Sequence, residues 1–380
     1  MLKVLNSALI QELREIKNSW YKLFLITLFP ILSFALLVSI FYSGVATKLP
    51  IVVVDNDKSD FSSRLLFNIS ASPSLNIKYK VLNTKEAINL VKSTDAYALI
   101  EIPKGFQKDT LLGLQPQVTL MLNTQFVLIG KMIKASVFEI VATSSAQIEY
   151  VKSLVQTQNT QLSLKKIAPI SLQLTPFYNT YKNYFLFLIS ALLPAVWQIF
   201  IVVTTIVSFG TLFKAKKEKD FFDKEYLFMS ILGKLLPYTI AYTLLGMFML
   251  FYIYGTQAWV FQGSFSIMLL AVLLTVIAYQ AITLLFFVSG FDYARTLSLG
   301  AVFTAPAFAF LGVTFPISSM NSFALFWRDL LPIAHYIEIQ ISQSNYGRDV
   351  FMEIEQLLYL GAFSLVFIPV YFRFKKRLIS

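Results

Sequence analysis

Apolar residues in this chain gather into long uncharged runs separated by charged clusters, and that spacing predicts membrane-spanning helices. A helix needs about 20 apolar residues to cross a hydrocarbon core of about 30 Å. The run between Lys22 and Lys48 meets that length, with Pro30 as an expected kink. Asn183–Phe213 is a second such run. Leu235–Phe291 carries no charge at all and would be about 85 Å long as one helix, so it must fold back. The polar, Gly-containing stretch Tyr254–Ser264 is the natural hairpin, giving third and fourth spans near Leu235–Tyr254 and Phe265–Ser289. A fifth is expected from Thr296 to Val313. A sixth, Leu357 to Phe372, is bounded by Glu353 and Glu355 before it and by Arg373, Lys375, Lys376 and Arg377 after it.

Two segments break this rhythm. At the start, Leu2, Leu5, Leu9, Leu13, Ile16 and Trp20 recur at spacings of three and four, with Arg14, Glu15, Lys17 and Asn18 between them. That pattern predicts an amphipathic helix lying on the inner membrane face and feeding an uncleaved first span. Between Thr47 and Val155 the pattern alternates strand with helix. Leu49–Asp55, Asn76–Leu82, Tyr97–Pro103 and Gln117–Asn123 read as strands, and Ser59 and Thr84 as helix caps. A short helix is expected near Phe106–Leu111 and a long one from Thr124 to about Val155. The β-α-β-α-β-α-β order implies an open, at least partly parallel sheet. The sequence Asp55–Asp60 begins like a calcium loop but lacks Gly at the sixth position and has Leu66 at the twelfth, so it reads as a strand-end turn and helix cap.

Composition agrees with the hydropathy pattern. The chain is 56% hydrophobic and 14% charged, against about 25% charged in soluble domains, and its mean hydropathy is +0.65. It contains no Cys and one His, which excludes a disulfide framework, a cysteine nucleophile and a His cluster for metal or haem. The net charge of +11 could suggest nucleic acid, but the basic residues divide into membrane-flanking clusters and a scattered, acid-balanced domain, so no nucleic acid partner is expected. Lys3, Arg14, Lys17 and Lys22, the cluster from Lys214 to Lys234, Arg295 and the C-terminal cluster all fall on one side if both termini are cytoplasmic. The large segment after the first span is translocated whatever its charge.

The expected fold class is therefore an α-helical polytopic membrane protein with six transmembrane helices and an inserted α/β extracytoplasmic domain. The segments are an interfacial helix at 1–22, span one at 23–43, the outer α/β domain with its long helix and return linker at 44–182, and span two at 183–213. A cytoplasmic loop follows at 214–234, then spans three to five at 235–313, an outer segment at 314–356, span six at 357–372 and a basic tail at 373–380.

No phosphate-binding GxxxxGK[ST] loop, GxGxxG, GxSxG or HExxH motif is present, so the chain is not expected to hydrolyse nucleotide alone. No charge falls mid-span; Lys234 and Asp292 lie at expected inner ends, where Lys234 would snorkel and Asp292 would pair with Arg295. A proton- or sodium-coupled carrier is thereby disfavoured, and energy is expected from another subunit. The loop from Lys214 to Lys234 surrounds Phe221, Phe222, Tyr226, Leu227 and Phe228 with charge, which suits insertion into a groove on a soluble partner or simply a solvated anchor.

Three stretches, Val52–Ser59, Phe177–Pro194 and Phe315–Glu338, together with the order of segments, resemble the ATP-binding-cassette type 2 permeases. The likeness covers essentially the whole chain and points to the branch with a large outer domain after span one, drug and hydrophobic-compound exporters. It implies a permease without cofactor or metal of its own, paired with a second permease subunit as homodimer or heterodimer. ATP and Mg would be bound by a separate cytoplasmic subunit. By the same resemblance the coupling element comprises Asp220, Phe221, Phe222, Asp223, Glu225, Tyr226 and Phe228. Candidate lining of the translocation path is Phe187, Pro194, Gln198 and Thr204 on span two, with Val302, Thr304, Pro306 and Phe308 on span five. Ile317–Ile341 would form outer re-entrant helices, with His335 as a satisfied packing residue. A periplasmic adaptor and membrane lipid are further expected partners, in a bacterial inner membrane. The loop departs from the family pattern in being Lys-rich after Gly210–Thr211. The alternative from another class is a non-transporting receptor or scaffold whose outer domain binds a ligand.

Overall fold

The computed structural model describes residues 1–42, 44, 46–157, 184–255 and 261–379. The chain divides into two compact units, Met1–Gly44 with Phe177–Ser380, and Val45–Pro176. The expected return linker, over residues 158–183, and the hairpin residues 256–260 lie outside the described residues.

The first unit begins with α1 (Leu2–Asn18), α2 (Trp20–Ile26) and α3 (Leu28–Phe41). α2 and α3 continue one another across a break at Thr27. Pro30 explains the break, since it has no N–H for the Ile26 carbonyl and its ring crowds that group.

The second unit carries β1 (Leu49–Asp55), α4 (Asp60–Ala71), β2 (Leu75–Val81), α5 (Thr84–Lys92), β3 (Ala98–Ile102), α6 (Phe106–Leu111), β4 (Thr119–Leu122) and α7 (Val127–Thr157). The sheet order is β2-β1-β3-β4, with β1 parallel to both neighbours and β4 antiparallel to β3. β1 and β3 read as largely apolar runs, interrupted only by Glu101 and ending at Asp55, because both faces of the sheet are covered. Ile51, Val53 and Ile100 pack with Leu65, Ile69 and Ile133 on one face, and Val52, Val54 and Leu99 pack with Ala87 of α5 on the other. Edge strand β2 alternates, exposing Asn76, Lys78 and Lys80, charges that discourage pairing by a further strand.

The turn after β1 is held by its own carboxylates. Asp55 accepts from the N–H groups of Asp57 and Lys58 at 3.0 Å and from the Ser62 hydroxyl at 2.8 Å. Asp57 accepts from the N–H groups of Gly105 and Gln107 at 2.8 and 3.0 Å. Desolvation opposes ionisation of Asp57, but hydrogen bonds from Ser59 and the N–H groups of Gln107, Gly105 and Phe106 outweigh it and hold the carboxyl below its usual range. Ser59 and Ser62 cap α4 reciprocally. Thr84, expected to cap α5, is instead its first residue; Asn83 caps it, accepting from Lys85 N–H at 2.8 Å, and the Thr84 hydroxyl donates to Glu101 at 3.0 Å.

The first unit resumes with α8 (Tyr184–Lys214), α9 (Glu218–Phe221), α10 (Leu227–Gly255), α11 (Phe265–Val288), α12 (Tyr293–Thr304) and α13 (Ala307–Phe310). It ends with α14 (Ser322–Asp329), α15 (Pro332–Ile341), α16 (Val350–Ala362) and α17 (Phe367–Ile379). Among the described residues, five helical stretches are long and apolar enough to cross a membrane: Trp20–Phe41, Phe187–Lys214, Leu227–Gly255, Phe265–Val288 and Val350–Ile379. The expected fifth span, Thr296–Val313, is not one helix. α12 stops at Thr304 and the short α13 resumes at Ala307, because Pro306 lacks an N–H for the Val302 carbonyl. Gly312, at φ +81°, then turns the chain. The last span is longer than expected, α16 and α17 being joined by a 3₁₀ turn at Phe363–Val366.

α11 is the central helix of this unit, packing against α8, α10, α12, α15, α16 and α17. In α8, Pro194 leaves the Ser190 carbonyl without its helical donor, and Gln340 of α15 supplies one, its side-chain amide donating at 2.8 Å.

Candidate functional site

One end of the helix bundle gathers the loop between α8 and α10, the N-terminal helix α1 and the C-terminal helix α17. The loop is pinned by aromatic side chains. Phe221 and Phe222 are buried, not offered to a partner as the sequence pattern suggested. The Phe222 ring centroid lies 6.0 Å from Phe209 and 5.6 Å from Phe374, in a cluster that also holds Phe213 and Phe287. These rings face inward because their own bundle supplies the apolar groove.

With the rings anchored, the charges point out. Asp220, Asp223 and Glu225 are exposed, Tyr226 is half-buried and Phe228 is exposed. Asp223 accepts from the N–H groups of Glu225 and Tyr226 at 2.8 and 2.9 Å, and its own N–H donates to the Ser230 hydroxyl at 3.1 Å. These bonds close a side-chain turn immediately before α10. Glu225, accepting from the Tyr226 phenol, holds that phenol protonated to higher pH than usual.

A buried ionic network joins α1 to the same end. Glu12 is fully buried and accepts from Lys22 at 3.3 Å, from Ser208 at 3.0 Å, from the Tyr238 hydroxyl and from Lys234. Lys22 also meets Glu15 at 2.9 Å. Lys234 therefore does not snorkel as expected. It is fully buried between Glu12 and the Phe221 ring, whose centroid lies 4.3 Å from its Nζ. Desolvation pushes the Glu12 carboxyl up, but the ammonium groups of Lys234 and Lys22 and the donated hydrogen bonds outweigh it and hold the group below its usual range. α1 can approach so closely because Gly233 has no side chain: a Cβ there would lie 2.6 Å from the Leu5 carbonyl oxygen and 2.8 Å from Ala8 Cβ. The buried face of α1 is Ala8, Glu12 and Ile16, while Leu2 and Leu13 of the apolar stripe remain exposed.

Sequence reasoning missed Glu12, Ser208 and Tyr238. The local signal was limited to the i, i+4 spacing of Ala8, Glu12 and Ile16, which marks a face of α1 but not its partner.

A family model described as ABC-2 family transporter protein matches residues 20–372. The chain belongs to the ABC-2 transporter family. No curated protein matches it. Membership makes this chain a multi-pass membrane permease, a transport component that is not itself catalytic and that works with an ATP-binding subunit.

The residues expected along the path of this ABC-2 permease fall into two groups. Phe187 and Val302 are exposed, 42% and 67%, and Pro306 and Phe308 are half-buried. Pro194, Gln198, Thr204 and Thr304 face the inside of the chain's own bundle. Gln198 donates to the Thr304 carbonyl at 3.4 Å and accepts from the Tyr279 hydroxyl. The Thr204 and Thr304 hydroxyls donate to Phe200 and Gly300 carbonyls of their own helices at 2.6 and 2.9 Å. α8 and α12 are in direct contact here, with Gly300 so close to Val202 that a Cβ would sit 2.8 Å from its Cγ1.

At the opposite end, His335 is buried with Nδ1 2.7 Å from Gln356 Oε1 and Nε2 3.0 Å from the Asp329 carbonyl, and stacks on Tyr359. Arg328 pairs with Glu338 at 2.6 Å. Back at the loop end, beside Phe291 of the aromatic cluster, Asp292 caps α12, accepting from the Arg295 N–H at 2.6 Å, instead of forming the expected ion pair with its side chain.

Proposed function

We propose that this ABC-2 permease is an exporter subunit that moves a hydrophobic or amphipathic compound, drug-like or lipid-like, out of the cytoplasm or inner leaflet of a bacterial inner membrane. ATP and Mg are bound by a separate cytoplasmic subunit, and two permease chains, identical or different, form the path. Both termini and the 214–226 loop are cytoplasmic, and the α/β unit is extracytoplasmic, where a periplasmic adaptor would meet it.

The division of the loop into buried Phe221 and Phe222 and exposed Asp220, Asp223 and Glu225 carries this reading. A loop fixed to three membrane helices and charged outward transmits a push from a soluble subunit to the bundle, whereas a solvated loop absorbs it. In this role Phe221 and Phe222 anchor the coupling element, and Asp220, Asp223, Glu225, Tyr226 and Phe228 face the ATPase. The exposure of Phe187 and Val302 supports their place toward the second permease subunit, with Gln198, Thr204 and Thr304 bracing α8 against α12 behind them.

Purification of the tagged full chain from its native membranes tests the reading. Recovery of an ATP-binding subunit with nucleotide turnover is expected. Recovery of the intact chain with a signalling partner and no such subunit would favour a receptor or scaffold whose α/β unit binds ligand.

A further inference from the structure

A cleft of about 520 Å³ lies between α3, α8 and α10, in the half of the bundle away from α1. Its floor is Phe34, Leu193 and Met249, all buried, and its long side follows α3 from Ile31 to Tyr42. At 1.5 Å per residue that side is about 16 Å long, close to the ~15 Å that one leaflet contributes to a 30 Å hydrocarbon core.

Polarity along the cleft is graded. No charged side chain lines it among the described residues, and an ionic ligand would find nothing to replace its water. The hydroxyl-bearing side chains Ser39, Tyr42 and Tyr252 all belong to one end, where α3 and α10 approach their C-termini and where aromatic hydroxyls sit at headgroup level. A leaflet-deep, apolar slot with hydroxyl-bearing side chains at one end has the length and polarity of a lipid chain with its ester end up.

We propose that this cleft binds a single phospholipid acyl chain from the leaflet at the C-terminal end of α3, ester end toward Ser39, Tyr42 and Tyr252, methyl end toward Ile31. The occupancy is that of a site and not of bulk lipid contact. It goes beyond the export reading and does not rest on it, since a scaffold with this bundle would hold the same chain.

The test uses the purified full chain in detergent doped with a phosphatidylethanolamine carrying a photoreactive diazirine in its acyl chain, with labelled peptides mapped after irradiation. Saturable labelling approaching one lipid per chain, resolved to single residues and concentrated on the cleft-lining Ala35, Val38, Met249 and Tyr252, is expected. Ala35→Trp, which fills the cleft, should lower it by about tenfold. Leu36→Trp, one residue away on the exposed side of α3, should leave it unchanged. Thermal melting of both variants establishes that they fold. Labelling that never saturates and falls equally on exposed Leu36, Leu244 and Phe251 would overturn the proposal, as would insensitivity to Ala35→Trp in a folded protein. Displacement of the label by a lipophilic drug but not by unlabelled phospholipid would also overturn it, in favour of a small-compound site.

Discussion

Glu12→Gln removes the one carboxylate that faces two buried or nearly buried ammonium groups, Lys22 and Lys234. Taking one partner from a buried ion pair costs about 3–5 kcal/mol, because the charge left behind has neither water nor counterion. For a unit of this size 1 kcal/mol shifts the melting temperature by about 2–4 °C, so the variant should melt roughly 6–20 °C lower in detergent. Lys234→Met should cost less, since Lys22 still neutralises Glu12 from 3.3 Å. In the double variant Glu12→Gln/Lys234→Met, charge is lost in balance, and part of the single-variant loss should return. Acid supplies an independent readout. The folded pKa of Glu12 lies below its unfolded value of about 4.3. Its contribution is therefore complete above that pH and disappears as pH falls through the lower, folded value. The Gln variant should lack that component of acid destabilisation. Strict additivity in the cycle, or a melting temperature within about 1 °C of wild type for Glu12→Gln, would refute the reasoning.

Three further outcomes follow from the same end of the bundle. Phe222→Ala empties the centre of the aromatic cluster and should cost about 3–5 kcal/mol, read by thermal melting of the full chain. Asp223→Ala removes the acceptor that holds the turn before α10 and should cost about 1 kcal/mol, with faster amide hydrogen exchange at Glu225 and Tyr226. Gly233→Ala places a Cβ 2.6 Å from the Leu5 carbonyl oxygen, so α1 must lift, and protease cleavage within α1 should rise while the rest of the bundle stays protected.

Much of the fold is legible in the chain because solvent imposes it. The uncharged runs mark spans since lipid offers charge no partner, and β1 and β3 stand out because a sheet covered on both faces needs largely apolar strands. The break within the expected fifth span was not legible because composition sees only hydropathy; Pro306 sits in an apolar run, yet it ends α12 by removing a donor. The loop's aromatic residues were visible but their direction was not, since Phe221 serves a partner's groove as well as its own. Glu12 and Lys234 are 222 positions apart, and no local pattern joins residues whose pairing depends on how α1 folds back onto α10. The resemblance placed a path along α8 and α12, where the polar members Gln198, Thr204 and Thr304 donate to backbone carbonyls, bonds that no sequence pattern displays.

The chain contains no cysteine, so single cysteines can be placed without background. With Asp223→Cys or Glu225→Cys in the full chain assembled with its ATP-binding subunit, a short thiol-reactive crosslinker should join the two proteins, and Lys80→Cys should give no such product. Crosslinking from position 80, or none from 223 and 225 in an assembled complex, would contradict the assignment of this loop as the contact through which ATP hydrolysis drives the permease.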